Sequence, residues 1–150
     1  MRALIRRVQQ AEVFVEGDST GCINKGLLIY LGIHADDQNE DLSWLIKKIL
    51  GLRIFEDGDG KMNQSINANQ GILLISQFTL FGNLRKGYRP SFNRAADPLM
   101  GKVMYEQGLS QIKEEFAGRV EAGTFGANMQ IHAIDDGPVT IWIDSKDRNY

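Results

Sequence analysis

The feature that most restricts this chain is an unbroken apolar run, Ile72-Leu73-Leu74-Ile75, entered from Gly71 and stopped by Ser76-Gln77-Phe78-Thr79. Gly71 to Leu80 reads as the strongest strand in the sequence, and one that must be buried. Lys25-Gly26 opens a second such run, Leu27-Leu28-Ile29-Tyr30-Leu31-Gly32-Ile33, whose length and glycine boundaries favour a buried strand over a helix.

Helical spacing separates the strands. Leu42, Leu45, Ile46, Ile49 and Leu50 fall on one helical face, and Gly51 stands where helices commonly end. Asp97 is a natural N-cap with Pro98 at the first helical position, followed by a stripe of Tyr105, Leu109, Ile112 and Phe116. At the start, Val13 and Val15 alternate about Phe14 before a turn at Gly17-Asp18-Ser19. Arg53-Ile54-Phe55 reads as a short strand before the turn Glu56 to Lys61. At the end, Met129, Ile131 and Ala133 alternate before Asp135-Asp136-Gly137-Pro138 turns into Val139 to Ile143. Many strands with two main helices predict one α+β domain over residues 1–150, with a curved or barrel-like sheet. The alternation is too sparse for a doubly wound parallel fold.

Composition narrows function by exclusion. With 43% hydrophobic residues the chain can build a core, and no stretch approaches a membrane span. Val8-Gln9-Gln10 interrupts the basic, apolar start before a signal-peptide core forms. The single cysteine, Cys22, excludes an internal disulfide and suits a cytoplasmic protein. A net charge of −2 argues against holding nucleic acid by bulk charge, although Arg85, Lys86, Arg89 and Arg94 cluster in one loop.

Several motifs are weak. Asp57, Asp59 and Asn63 fail as a calcium loop, because Met62 stands where a glycine is required and Ala68 where the bidentate acid belongs. His34-Ala35-Asp36-Asp37 is better read as a hydrated loop than a metal site, and no cofactor is expected. Ser76 lacks the G-x-S-x-G elbow that would support a triad with His34 or His132. Ser76 to Thr79 stands apart, since polar groups ending a buried strand need partners. Both faces of that segment could serve one site only if the strand frays or bulges there. Gly137-Pro138 suits a sharp turn, for which a trans hairpin is the default reading.

Taken together these segments resemble the D-aminoacyl-tRNA deacylase family. The likeness runs through Met1 to Val8, Lys25 to Leu28, Leu52 to Asp57, Gly60 to Asn63, Ser76 to Leu80, Arg85-Lys86-Gly87, Arg89 to Phe92, Gly126 to Gln130 and Asp136 to Thr140. It covers essentially the whole chain, and both diagnostic motifs, Ser-Gln-Phe-Thr and Gly-Pro, are intact. Departures at Phe81-Gly82-Asn83-Leu84, Asn128 and Asp135 touch loop detail and the fine shape of the implied tRNA entrance, and leave the two motifs alone.

The resemblance implies a homodimer with active sites at the subunit interface. Ser76, Gln77, Phe78 and Thr79 of one subunit would face a cis Gly137-Pro138 of the other. The Gly-Pro carbonyls would capture the substrate's α-amino group and leave no room for an L side chain. Arg7 would brace that loop and Met129 would line the pocket. Backbone N–H groups near Gln77 and Phe78 would hold the oxyanion, with Thr79 as a covalent nucleophile the rival mechanism. Arg85, Lys86 and Arg89 would contact tRNA phosphates. The implied reaction is hydrolysis of D-aminoacyl-tRNA, and of glycyl-tRNA, as chiral proofreading. The competing readings are a non-catalytic RNA-binding β-domain, which the pI of about 5.7 and the lack of interleaved surface aromatics disfavour, and an esterase for free D-amino acid esters.

Overall fold

The alternating start of the chain forms one long strand, β1 (Arg2–Val15), in the computed structural model, which describes residues 1–149. A turn at Glu16-Gly17, with φ of 53° and 90°, leads into β2 (Asp18–Ile23). Positive φ at both central residues is the geometry that matches the twist of a two-residue hairpin. The turn therefore lies earlier than Gly17-Asp18-Ser19, and Asp18 and Ser19 already pair with Val15 and Phe14. Then come β3 (Gly26–Gly32), α1 (Asn39–Leu50), a small hairpin of β4 (Phe55–Glu56) and β5 (Met62–Gln64), and β6 (Gly71–Ser76). After a 3-10 turn at Phe78–Phe81 the chain forms α2 (Pro98–Glu115), β7 (Arg119–Ala122) and β8 (Met129–Asp144).

The sheet runs β2-β1-β3-β6-β7, with β8 on β1 as well. Since β8 pairs with β1 from Arg2 to Val15, β3 and β2 must share the other edge of β1, one after the other. The pairs β3–β6 and β6–β7 are parallel, so the chain must cross the sheet between them. The segments carrying α1 and α2 supply those crossovers. The sheet curls until β7 approaches β2: a methyl group at Gly21 would stand 3.1 Å from the Ala122 carbonyl oxygen. A nearly closed, barrel-like sheet with two helices results, as expected from sequence. The short polar strand β7 was not expected.

Both apolar runs are buried on both faces, as their composition requires. Leu27, Ile29, Leu31, Ile72 and Leu74 pack with Leu42, Leu45, Ile46 and Ile49 of α1 and with Met104, Tyr105 and Ile112 of α2. Leu28, Leu73 and Ile75 point the other way, into a second cluster with Val8, Val13 and Ile23. Gly26 and Gly71 face each other where β3 and β6 begin. A Cβ on Gly26 would fall 1.9 Å from the Gly71 carbonyl oxygen, so only glycine allows this approach. Gly108 similarly lets α2 close on α1, with Leu42 Cδ1 3.1 Å from where a Cβ would stand.

One expected boundary is wrong. Asp135 to Pro138 do not form a hairpin turn between two strands; β8 is one continuous strand, and both its halves pair with β1 in the same direction. Arg6 pairs with Thr140 and Val8 with Asp135, so four residues of β8 face Arg7 alone and bulge out of the ladder. Gly137 has φ of 120° and the Gly137–Pro138 peptide bond is cis. Arg6 clamps the edge of the bulge through two bonds to the Asp135 carboxylate, at 2.9 and 2.7 Å.

The ends of the sheet are tied by a charged cluster. The amino group of Met1, fully buried, donates to Asp37 Oδ1 and Ser145 Oγ at 2.6 Å each. Burial lowers the pKa of that amine from 8.0. Beside it Asp41, which caps α1 by accepting from the Gln38 N–H, also receives Lys146 at 2.6 Å and Arg148 at 3.3 Å. Burial pushes the Asp41 carboxyl up, but these bonds outweigh it and hold the pKa at about 2, below its ordinary 3.8. A carboxyl depressed on folding adds stability above its unfolded pKa and loses it as pH falls toward the folded one. We expect Asp41→Asn to flatten the acid limb of a denaturant-stability profile between about pH 4 and 2 by roughly 1 kcal/mol, the full shift being discounted because Lys146 is half exposed. An acid limb as steep as the parent's would exclude this cluster as its source.

Candidate active site

The polar residues after Ile75 do not continue the strand. Ladder pairing stops at Ser76, opposite Leu31, and the Gln77 N–H closes it by donating to the Leu31 carbonyl at 2.8 Å. The chain then tightens into the Phe78–Phe81 turn. Changing conformation at this point brings Ser76, Gln77 and Phe78 onto one cleft of about 520 Å³, which strand geometry alone would have split between two faces. Its opposite walls are the Phe92 to Pro98 loop and the Phe125 to Ile131 segment, including Met129.

The N–H groups that open a helical turn have no partner within it. Those of Phe78 and Thr79 find no acceptor elsewhere among the described residues, whereas that of Gln77 is already used. Of the two N–H groups singled out from sequence, that of Phe78 is therefore unpaired and that of Gln77 is committed to Leu31, with the Thr79 N–H unpaired beside them. Thr79 is exposed and does not line the cleft; its hydroxyl accepts from the Gln77 side-chain amide. Neither histidine serves Ser76 or Thr79. His34 accepts from the Asp36 N–H and packs edge-on against Phe81, and His132 lies against Phe14.

Arg2, not singled out from sequence, anchors the turn. Its guanidinium donates to the Leu80 carbonyl and to Asp144, both at 2.8 Å, and lies 4.6 Å from the Phe81 ring centre. Phe92, also missed, stacks edge-on against Phe78 at 5.1 Å. It belongs to the basic loop, whose base is pinned by paired backbone bonds between Asn83 and Ser91. Arg85, Lys86 and Arg89 are exposed on that loop and make no ion pair among the described residues. Tyr88 stands fully exposed between them, so an aromatic is interleaved with the cations after all.

Arg7 sits under the Gly-Pro bulge. Its Nη1 donates to the Ile54 carbonyl at 2.6 Å and its Nε to the Asp136 carbonyl at 3.2 Å, with the Asp136 carboxylate 3.1 Å away. A Cβ on Gly137 would meet Arg7 Nη2 at 3.0 Å. Gly137 and Pro138 are exposed and do not line the cleft of their own chain. Met129 pairs with Val15 while the bulge faces Arg7. At about 3.3 Å per residue that puts Met129 roughly 25 Å from the bulge along β1, while Ser76, in register through Leu31 with Ala3, stands four residues along and three strands across from it.

Among the described residues no group of three or more His, Cys, Asp or Glu side chains could hold a metal ion. Among the described residues no helix is long and apolar enough to cross a membrane.

Comparison with known proteins supplies the family. The family model described as D-Tyr-tRNA(Tyr) deacylase matches residues 4–144. A D-aminoacyl-tRNA deacylase of Thermotoga petrophila is 49% identical over 146 residues, covering 97% of each chain. One of Thermosipho africanus is 48% identical over 147 residues, covering 97% of this chain and 98% of its own. Among solved structures, a c-Myc DNA unwinding element binding protein superposes with a TM-score of 0.91 at 37% identity, over 96% of this chain and 98% of that one. A probable eukaryotic D-amino acid tRNA deacylase, with a TM-score of 0.79 at 18% identity over 95% and 97%, shares the fold. Both motifs that set the site apart, the strand-ending turn and the arginine-braced bulge, lie inside the matched span, and the chain belongs to the D-Tyr-tRNA(Tyr) deacylase family.

Proposed function

We propose that this protein hydrolyses the ester joining a D-amino acid to the 3′-terminal ribose of tRNA, and that two copies of the chain build each active site. The observation that carries the proposal is the separation of the two motifs. A cleft with unpaired N–H groups at its mouth holds Ser76 to Phe78, while the chain's own Gly137-Pro138 bulge projects into solvent well away from it. A second copy can bring its bulge to the cleft, and the edge of β8, with Ile134 50% and Trp142 42% exposed, offers a surface on which copies can pair.

In this assembly the carbonyl oxygens at Gly137 and Pro138 receive the α-amino group of the substrate. The backbone beside them leaves space for hydrogen and none for a side chain in the L direction, so chirality is read by exclusion. The Phe78 and Thr79 N–H groups point at the carbonyl oxygen as it gains charge. Aminoacyl esters are labile, so positioning and these donors suffice, with the substrate's own 2′-hydroxyl assisting the attacking water. Among the described residues neither histidine reaches Thr79 as the base a nucleophilic role would need. Its hydroxyl instead fixes the Gln77 side chain.

Purified protein sediments as a dimer and clears D-tyrosyl-tRNA at least roughly 100-fold faster than L-tyrosyl-tRNA. It also clears glycyl-tRNA, since glycine presents hydrogen in both directions, and it leaves free D-tyrosine esters largely intact. Equal rates on the two enantiomers, or a lone subunit, would sink the proposal. Thr79→Ala lowers kcat/KM by about tenfold, the scale of one hydrogen bond, whereas a covalent role demands near-total loss. Reversing charge at Arg85, Lys86 and Arg89 weakens tRNA binding and flattens its dependence on salt, by about 0.7–0.9 in log–log slope for each phosphate no longer neutralised.

A further inference from the structure

The loop from Asn83 to Ser91 presents more than charge. Its ends are locked by two backbone bonds, Asn83 N–H to Ser91 O at 2.8 Å and Ser91 N–H to Asn83 O at 3.0 Å. Inside, the Asn83 side chain accepts from the Arg85 N–H at 3.0 Å and the Gly87 N–H donates to Leu84 O at 3.2 Å. Gly87, at φ of 115°, reverses the chain just before Tyr88. The tyrosine is left 103% exposed, with both ring faces bare. A chain rises at most about 3.6 Å per residue, so the backbone of Tyr88 stands within roughly 11 Å of that of Ser91. The residue after Ser91, Phe92, packs against Phe78 at the mouth of the cleft.

We infer that Tyr88 is a stacking platform for an unpaired nucleobase of the acceptor end, placed by a braced loop whose flanking cations hold the adjoining phosphates. Bare aromatic faces beside unpaired Arg and Lys side chains are the elements with which proteins hold single strands. The ring takes any base by its π-face, and the cations track the backbone. A double helix offers no free base face along its length, so the platform selects the unpaired end of the substrate and not its stem. The charge argues for this occupant. Arg85, Lys86 and Arg89 lie within three residues of Tyr88 in a chain of net charge −2, so the local field favours an anionic partner that the molecule as a whole does not. The inference rests on the proposed tRNA substrate and adds to it a residue that recognises strandedness.

The test uses uncharged RNA, so that it does not depend on turnover. Affinity of the full chain for a short single-stranded oligoribonucleotide and for a blunt duplex of equal length is measured by fluorescence anisotropy, for the parent, Tyr88→Ala and Tyr88→Trp. Tyr88→Ala loses about five- to tenfold in affinity for the single strand, keeps the parent's salt slope and leaves duplex binding unchanged. Tyr88→Trp restores the affinity. A Tyr88→Ala protein with parental single-strand affinity overturns the platform and assigns the ring to some other partner, such as a protein surface. So does an equal loss on both RNAs, or a parent that binds neither. Failure of the parent to hydrolyse D-aminoacyl-tRNA is read in a separate assay and strikes the proposed reaction, not the stacking.

Discussion

A strand has two edges, and β8 occupies one edge of β1 from Arg2 to Val15. The rest of the molecule depends on that pairing. Between two fixed partnerships, Arg6 with Thr140 and Val8 with Asp135, β8 carries four residues where β1 carries one. The surplus has nowhere to go within the ladder and must leave it. Pairing on both sides makes the bulge a rigid projection where a free hairpin would be mobile. Arg7, the one residue of β1 opposite it, is mostly buried and bridges it to the Ile54 carbonyl behind the sheet. The position of Gly137-Pro138 is thus set by strand register and one guanidinium.

The cleft arises from an equally local conflict. An apolar strand buried on both faces cannot place polar side chains where its pleat would send them, because each would need a partner in the core. The sequence changes character at Ser76, and the backbone changes with it, trading ladder pairing for a 3-10 turn. Such a turn always leaves its first N–H groups unpaired. Arg2 then holds the turn to the β1 and β8 ends of the sheet. The strand that builds the core therefore ends in N–H groups left unpaired beside the cleft.

Much of this was legible in the residues. The apolar runs, the period of α1 and the Asp97-Pro98 cap each pointed to their element, because each is a local pattern with one physical solution. The helical stripe of α2 was read only in part. Gly101 and Gly108 are buried there against neighbouring side chains, and a search for apolar side chains cannot see a face made by their absence. The bulge was misread as a hairpin because Asp-Gly-Pro is the chemistry of a turn either way. Whether the chain reverses or resumes its direction is decided by the partner strand, which is distant in sequence. The free N–H groups at Phe78 and Thr79 were hidden for the same reason, since the fate of the Gln77 N–H depends on Leu31. Tyr88 was passed over because composition weighs an aromatic without showing whether its faces are covered.

In the proposed function these constraints divide the work within the site. Selection by exclusion needs a wall that does not yield, and the bulge is braced on both sides by arginines whose own partners are fixed. Recognition of a long polyanion needs reach and tolerance, and the proposal assigns it to a loop whose side chains stand free in solvent. Hydrolysis of a labile ester asks least, and two backbone donors at the end of a buried strand can supply it without a charged residue in the cleft wall. A carboxylate or imidazole there would accelerate either enantiomer alike. On the proposed reading, leaving chemistry to the backbone keeps discrimination with the wall, where the shape of the substrate alone would decide which ester is held long enough to react.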